Sequence, residues 1–125
     1  MTFSAGLVAL MTVVSVFFFH FIGDYVLQSR WMGENKSKEM WPLVAHISVY
    51  TLVLGIGMSI IFGLSFGVMY ALINGVLHMA VDFVTSRIAR KAYEDGNMGK
   101  FWRTIGMDQF LHNACLLLSF LLMLV

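Results

Sequence analysis

The stretch "FSAGLVALMTVVSVFFFHFIGDYVLQ", residues 3–28, decides the fold. Its opening run, residues 3–19, carries no charge, and then His20, Asp24 and Gln28 follow one helical turn apart. An apolar run of this length reads as a membrane-spanning helix. A histidine and a carboxylate at its end are costly in lipid unless other protein groups meet them. The stretch therefore predicts a helical bundle and, inside it, a buried polar site with partners elsewhere in the chain.

The remaining composition agrees. Of 125 residues, 59% are hydrophobic and only 12% charged, against about 25% charged in ordinary soluble chains. Mean hydropathy is +0.81. The length suits one domain over residues 1–125. A lone cysteine, Cys115, excludes an intrachain disulfide and a cysteine-only metal cluster. The N-terminal run lacks a preceding basic segment and a following cleavage site, so it is expected to be a retained span and not a secretory signal.

Four spans are expected, near residues 3–28, 42–62, 66–88 and 105–125. The fold class is all-α: a four-helix transmembrane bundle, antiparallel up-down. Pro42 fits the first turn of the second helix. "FGLSFG", residues 62–67, reads as a tight turn closing an antiparallel hairpin. "KAYEDGNMGKFW", residues 91–102, reads as a polar loop turning at "DGN". Gly55, Gly57, Gly63, Gly67 and Gly75 are read as sites of close helix approach.

All eight lysines and arginines fall in two places. Arg30, Lys36 and Lys38 accompany the first loop; Arg87, Arg90, Lys91, Lys100 and Arg103 accompany the third. The positive-inside rule puts both loops in the cytoplasm and both termini on the far side. The expected location is a bacterial inner membrane. Trp31, Trp41 and Trp102 flank helix ends, as an aromatic belt does.

The spans hold three acids, Asp24, Asp82 and Asp108, each one turn from a histidine: His20, His78 and His112. His46 has Tyr50 in the corresponding place. The first and third helices read His then Asp, and the oppositely running fourth reads Asp then His. Antiparallel packing undoes that reversal. All three aspartates should lie nearer the cytoplasm, with the histidines about 6 Å deeper.

Imidazole and carboxylate are ligands for divalent transition metals, and bundles build metal sites from facing helices. On this reading Asp24, His78, Asp82, Asp108 and His112 hold one or two ions of zinc, manganese or iron. His20, His46 and Tyr50 are catalytic candidates, with His20 and His46 acting as ligands or bases. Gln28, Asn74 and Gln109 are outer partners, and Lys36 and Arg87 are candidates for binding an anion. The corresponding activity is metal-dependent hydrolysis or group transfer on a lipid-linked or anionic substrate. Two other classes stay open: a non-enzymatic module acting on membrane proteins, with the cluster as a structural clamp, and a proton or ion pathway. The expected partners are the lipid bilayer and a membrane protein or second copy of the chain, not nucleic acid.

"HFIGDYVLQSRWMGENKSK", "HISVYT", "HMAVDFVTSRI" and "GMDQFLHN" together resemble a family of small bacterial and phage-encoded membrane proteins classed as a domain of unknown function. The shared pattern is H-x3-D-x3-Q, N-K, H-x3-Y, H-x3-D and D-Q-x2-H. It falls here on His20, Asp24, Gln28, Lys36, His46, Tyr50, His78, Asp82, Asp108, Gln109 and His112. The resemblance implies a polytopic membrane protein of phage or prophage origin, where a non-enzymatic role would be exclusion or lysis control. It supplies no reaction.

Overall fold

The structure, a computed structural model, describes residues 2–125, and its regular elements are all helical. Helix α1 (Ala5–Phe21) continues through a π-helical turn (Ile22–Val26). A short α2 (Arg30–Asn35) precedes three long helices, α3 (Met40–Phe62), α4 (Leu64–Glu94) and α5 (Met98–Leu124). Four segments are long and apolar enough to cross a membrane: Ala5–Val26, Met40–Phe62, Leu64–Glu94 and Met98–Leu124. The shortest of them is about 33 Å long, enough for a hydrocarbon layer of about 30 Å.

Side chains start these helices where the sequence changes character. Ser4 Oγ accepts from Leu7 N–H, Ser29 Oγ from Met32 N–H, and Asn97 Oδ1 from Lys100 N–H. Pro42 is the third residue of α3, where its missing N–H leaves no helical bond unmade. Two helices outrun their expected spans: α4 runs to Glu94 and α5 starts at Met98. Hydropathy marks the part of a helix suited to lipid, whereas helical hydrogen bonds continue into polar sequence. The polar stretch 91–102 is therefore mostly helix, and only its Asp95–Asn97 portion turns, with Gly96 at φ 70°.

Neighbouring long helices run antiparallel. Facing pairs of α3 and α4 step by four residues on each: Gly55 against Ala71, Ser59 against Gly67, Thr51 against Gly75. A Cβ at Gly67 would collide with the Ser59 backbone, and one at Gly75 with the Thr51 hydroxyl. A Cβ at Gly57 would lie 2.6 Å from the Phe19 ring of α1. Gly63 differs from the expectation. It has open space around its Cβ position and a φ of 91°, so it makes the one-residue reversal between α3 and α4 and no close approach.

The bundle has a dry end and a polar end. At the dry end Val16, Leu54, Met58, Tyr70, Ala71 and Leu116 pack together beneath Phe62, Phe66 and Phe120. Tyr70 Oη donates to Leu116 O at 2.8 Å. The polar end contains the end of α1, the start of α3, the end of α4 and the start of α5, together with every lysine and arginine. Trp31, Trp41 and Trp102 are exposed there. Outward-facing Leu10, Leu52, Ile60, Val76 and Leu122 give the shaft an apolar exterior suited to lipid.

Lipid tails are as apolar as leucine, so packing at small residues carries much of the helix association. Gly67→Ala is expected to lower the unfolding free energy in detergent by about 1–3 kcal/mol. Gly6→Ala, with nothing near its Cβ position, should be neutral or slightly stabilising. Denaturant titration of both variants followed by circular dichroism is the check; equal effects would refute the close-approach reading.

Candidate metal centre

The site begins with a backbone irregularity. Leu27 N–H bonds back to Ile22 O at 3.0 Å, five residues away, and opens a π turn at Asp24. Such turns concentrate at functional sites. Gly23 lies within it, and a Cβ there would come 3.2 Å from Tyr50 Cα. The missing side chain lets α3 close on α1 just where Asp24 must reach His46.

Four helices then deliver histidine Nε2 atoms and carboxylate oxygens into one buried volume. Asp24 Oδ1 lies 3.0 Å from His46 Nε2 and 3.3 Å from His78 Nε2. Asp82 Oδ2 lies 3.3 Å from His46 Nε2 and 3.6 Å from His78 Nε2, and those two nitrogens are 3.2 Å apart. His112 Nε2 is 3.1 Å from Asp82 Oδ1 and 3.3 Å from Asp108 Oδ1. His20 joins through Gln109, whose Oε1 is 3.2 Å from His20 Nε2. The Gln109 amide nitrogen donates to Asp24 Oδ2 at 3.1 Å and to Asp108 Oδ2 at 3.0 Å.

The histidines present one nitrogen each to this volume. The Nδ1 atoms of His20, His46 and His78 are buried without a partner among the described residues. The rings are packed edge and face: His78 stacks on His112 at 3.8 Å and 8°, and Tyr50 covers His78 at 4.0 Å. Three overlapping groups have the spacing of metal donors: Asp24, His78 and His112; His46, His78 and Asp82; Asp82, Asp108 and His112.

A cavity of about 670 Å³ opens beside the cluster at the polar end. Asp24, Asp82 and Asp108 line it, and none of the histidines does. The aspartates thus stand between the cavity and the imidazoles, the layering expected from the reversed His–Asp order. Lys36, from the turn after α2, reaches across to Asp82 Oδ2 at 2.8 Å. Lys38, Arg90, Gln28 and Ser86 also line the cavity; Gln28 Oε1 and Ser86 Oγ are buried without hydrogen-bond partners, and Arg90 Nε lies 3.8 Å from Glu94 Oε1, too far for a hydrogen bond.

His20, Asp24, His46, His78, Asp82, Asp108, Gln109 and His112 therefore meet, and Tyr50 joins by its ring. Asn74 does not reach them: its amide nitrogen donates to Tyr70 O and Ser119 Oγ deeper in the bundle. Arg87 lies outside the cavity lining, donating to Phe83 O on its own helix with its guanidinium over the Phe83 ring. One residue at the site, Thr85, went unread in the sequence. Its Oγ1 donates to Asp108 Oδ1 at 2.5 Å; of the two arginines on this helix, Arg90 and not Arg87 occupies the cavity wall. Thr85 lies three residues after Asp82, on the same helix face, and that spacing was the available signal.

The family described as protein of unknown function (DUF3307) matches residues 12–125. The chain belongs to that family. The match covers the cluster from His20 to His112 and all but the first turns of α1. Neither the curated proteins nor the solved structures contain a match to this DUF3307 chain.

Gln109 holds two carboxylates with one amide nitrogen, so its loss leaves both short of a donor. Gln109→Ala is expected to destabilise the fold by about 1–3 kcal/mol, and Gln109→Glu by more, because it turns an oxygen toward Asp24 and Asp108. The order wild type, Ala, Glu in thermal unfolding at neutral pH is the readout; a Glu variant as stable as wild type would overturn it.

Proposed function

We propose that the protein is a membrane-embedded, divalent-metal-dependent hydrolase or group-transfer enzyme, acting on a substrate that brings an anionic group into the cavity. One observation carries this reading. His46 Nε2, His78 Nε2, Asp24 Oδ1 and Asp82 Oδ2 lie 3.0–3.6 Å apart in five pairings. Four donors around a tetrahedral zinc, with bonds of about 2.0 Å, are separated by about 3.3 Å. Charge supports the same conclusion. Three carboxylates share a volume where Asp24 and Asp82 are 5% and 1% exposed, and among the described residues Lys36 is the one lysine bonded to them. Crowded buried carboxylates are strongly unfavourable unless cationic groups meet them, and a divalent cation would do so.

A metal bound there would supply an activated water or polarise a phosphoryl or carbonyl oxygen. The chain's own residues do the rest. Gln109 orients His20 beside Asp24, accepting from its Nε2–H. Lys38 and Arg90 face an anion entering the cavity, with Gln28 and Ser86 offering unpartnered hydrogen-bonding atoms. Tyr25, Ile105 and Phe101 give the same wall apolar surface, which suits a lipid-linked head group. The clustering of all basic residues at this end favours a cytoplasmic cavity in a bacterial inner membrane, with both termini outside.

A second reading has its own support. Each aspartate already receives a donor from the chain: Gln109 on Asp24, Lys36 on Asp82, Thr85 on Asp108. A wholly hydrogen-bonded clamp would make the protein a non-enzymatic module acting on other membrane proteins, the role that exclusion or lysis control by a phage would need. A continuous proton path has less support, because the core beyond Asn74 and Ser119 is apolar.

Elemental analysis of protein purified in mild detergent separates the readings. About one or more zinc, manganese or iron ions per chain are expected, with loss in Asp24→Asn and Asp82→Asn. No metal, even after reloading, would leave the clamp. For sidedness, single cysteines in a Cys115→Ser background are the probe. A membrane-impermeant thiol reagent should label Ser65→Cys in intact cells and Lys100→Cys only after the inner membrane is opened; the reverse pattern would invert the topology.

A further inference from the structure

The two oxygens of Asp82 address different partners. Oδ2 faces His46 and His78, at 3.3 and 3.6 Å, in the set with Asp24. Oδ1 faces His112 at 3.1 Å, and His112 Nε2 is itself 3.3 Å from Asp108 Oδ1. The second set has the donor spacing of the first, and it shares only the Asp82 carboxylate with it. The His78 and His112 rings are parallel, 3.8 Å apart, each with its Nε2 beside a different oxygen of that carboxylate. Two ions held by two-metal enzymes lie about 3.5–4 Å apart, so stacked imidazoles at this distance present one nitrogen to each position.

We infer that the cluster is a dinuclear metal centre bridged by Asp82, whose second ion binds together with a phosphate-class anion in the cavity. The inference rests on the metal reading above and deepens it. The first ion takes His46, His78, Asp24 and Asp82 Oδ2. The second takes His112, Asp108 and Asp82 Oδ1, with Thr85 donating to Asp108 and orienting it. This second position has three protein donors, and its two carboxylates line the cavity. A fourth ligand therefore comes from the cavity side, the arrangement of a catalytic position.

Charge gives the ligand its class. Lys36, Lys38 and Arg90 line the cavity together with Glu34 and Glu94, so cations stand where an entering anion would meet them. A phosphate-class anion would supply the fourth ligand that the second position lacks, and its remaining oxygens would meet Lys38, Arg90 and Ser86. Because the anion would complete the ligand set of the second ion, the two should bind cooperatively.

Chelator-stripped protein in detergent is titrated with Mn2+, with and without inorganic phosphate, and bound manganese is counted after desalting. Stoichiometry should rise from about one to about two per chain when phosphate is present. The isolated-ion paramagnetic resonance spectrum should give way to a spin-coupled one as the second ion binds. Asp108→Asn should hold about one ion under both conditions, with an uncoupled spectrum. Phosphatidic acid in the micelle, in place of inorganic phosphate, tests the source of the anion. If it recruits the second ion at lower concentration, the ligand is a lipid head group; if only inorganic phosphate does so, the ligand is free. A single ion under every condition would overturn the dinuclear assignment while leaving the mononuclear reading intact, as would two ions that stay uncoupled. A coupled pair formed without any anion would overturn the linkage. No binding at all would remove the metal reading itself.

Discussion

The carboxylate of Asp82 is the group on which the polar half of the molecule depends. It is 1% exposed, within an apolar helix, and every one of its close partners comes from a different part of the chain or the turn before it. Lys36 arrives from the α2 turn, His46 from α3, His112 from α5, and His78 from the preceding turn of α4. A charged carboxylate in hydrocarbon is tolerated only when it is met in this way. The requirement pulls three helices and a loop to one point and sets their rotation about their own axes.

The other half of the bundle is held by different physics. Between lipid-facing helices there is no hydrophobic gain from association, so close packing must supply it. Gly67 on Ser59, Gly75 on Thr51 and Gly57 on Phe19 bring the backbones together. The two halves divide the work. The dry end gives α3 and α4 a register, and the polar end closes α1 and α5 around it through Asp24, Gln109 and His112. Beside His46 the π turn carries Asp24, and Gly23 lets the backbone of α3 approach.

Much of this was legible in the residues. Long apolar runs mark candidate spans because lipid offers nothing to hydrogen-bond a polar side chain, and the structure has four helical segments long and apolar enough to cross a membrane. The four-residue interval between His20 and Asp24, His78 and Asp82, and Asp108 and His112 predicts shared faces from helical geometry alone. Reversal of the order in the fourth helix predicts that the aspartates form one layer, and those three residues line the cavity while the histidines do not. Helix ends in polar sequence were less legible. The Lys91–Glu94 end of α4 and the first turns of α5 are helical for backbone reasons that hydropathy does not register.

The sequence by itself determined an all-helical chain with four apolar segments, the residue types of its polar site, and the helix face each occupies. These follow from local rules: solvent preference, helical period and turn chemistry. Tertiary structure alone decided which oxygen of Asp82 faces which histidine, that Gln109 joins His20 to two aspartates, that Lys36 bonds Asp82, and that Arg90 rather than Arg87 borders the cavity. Those outcomes depend on the relative rotation and depth of helices far apart in the chain. A displacement of an ångström changes which atoms meet, and local sequence carries no record of it.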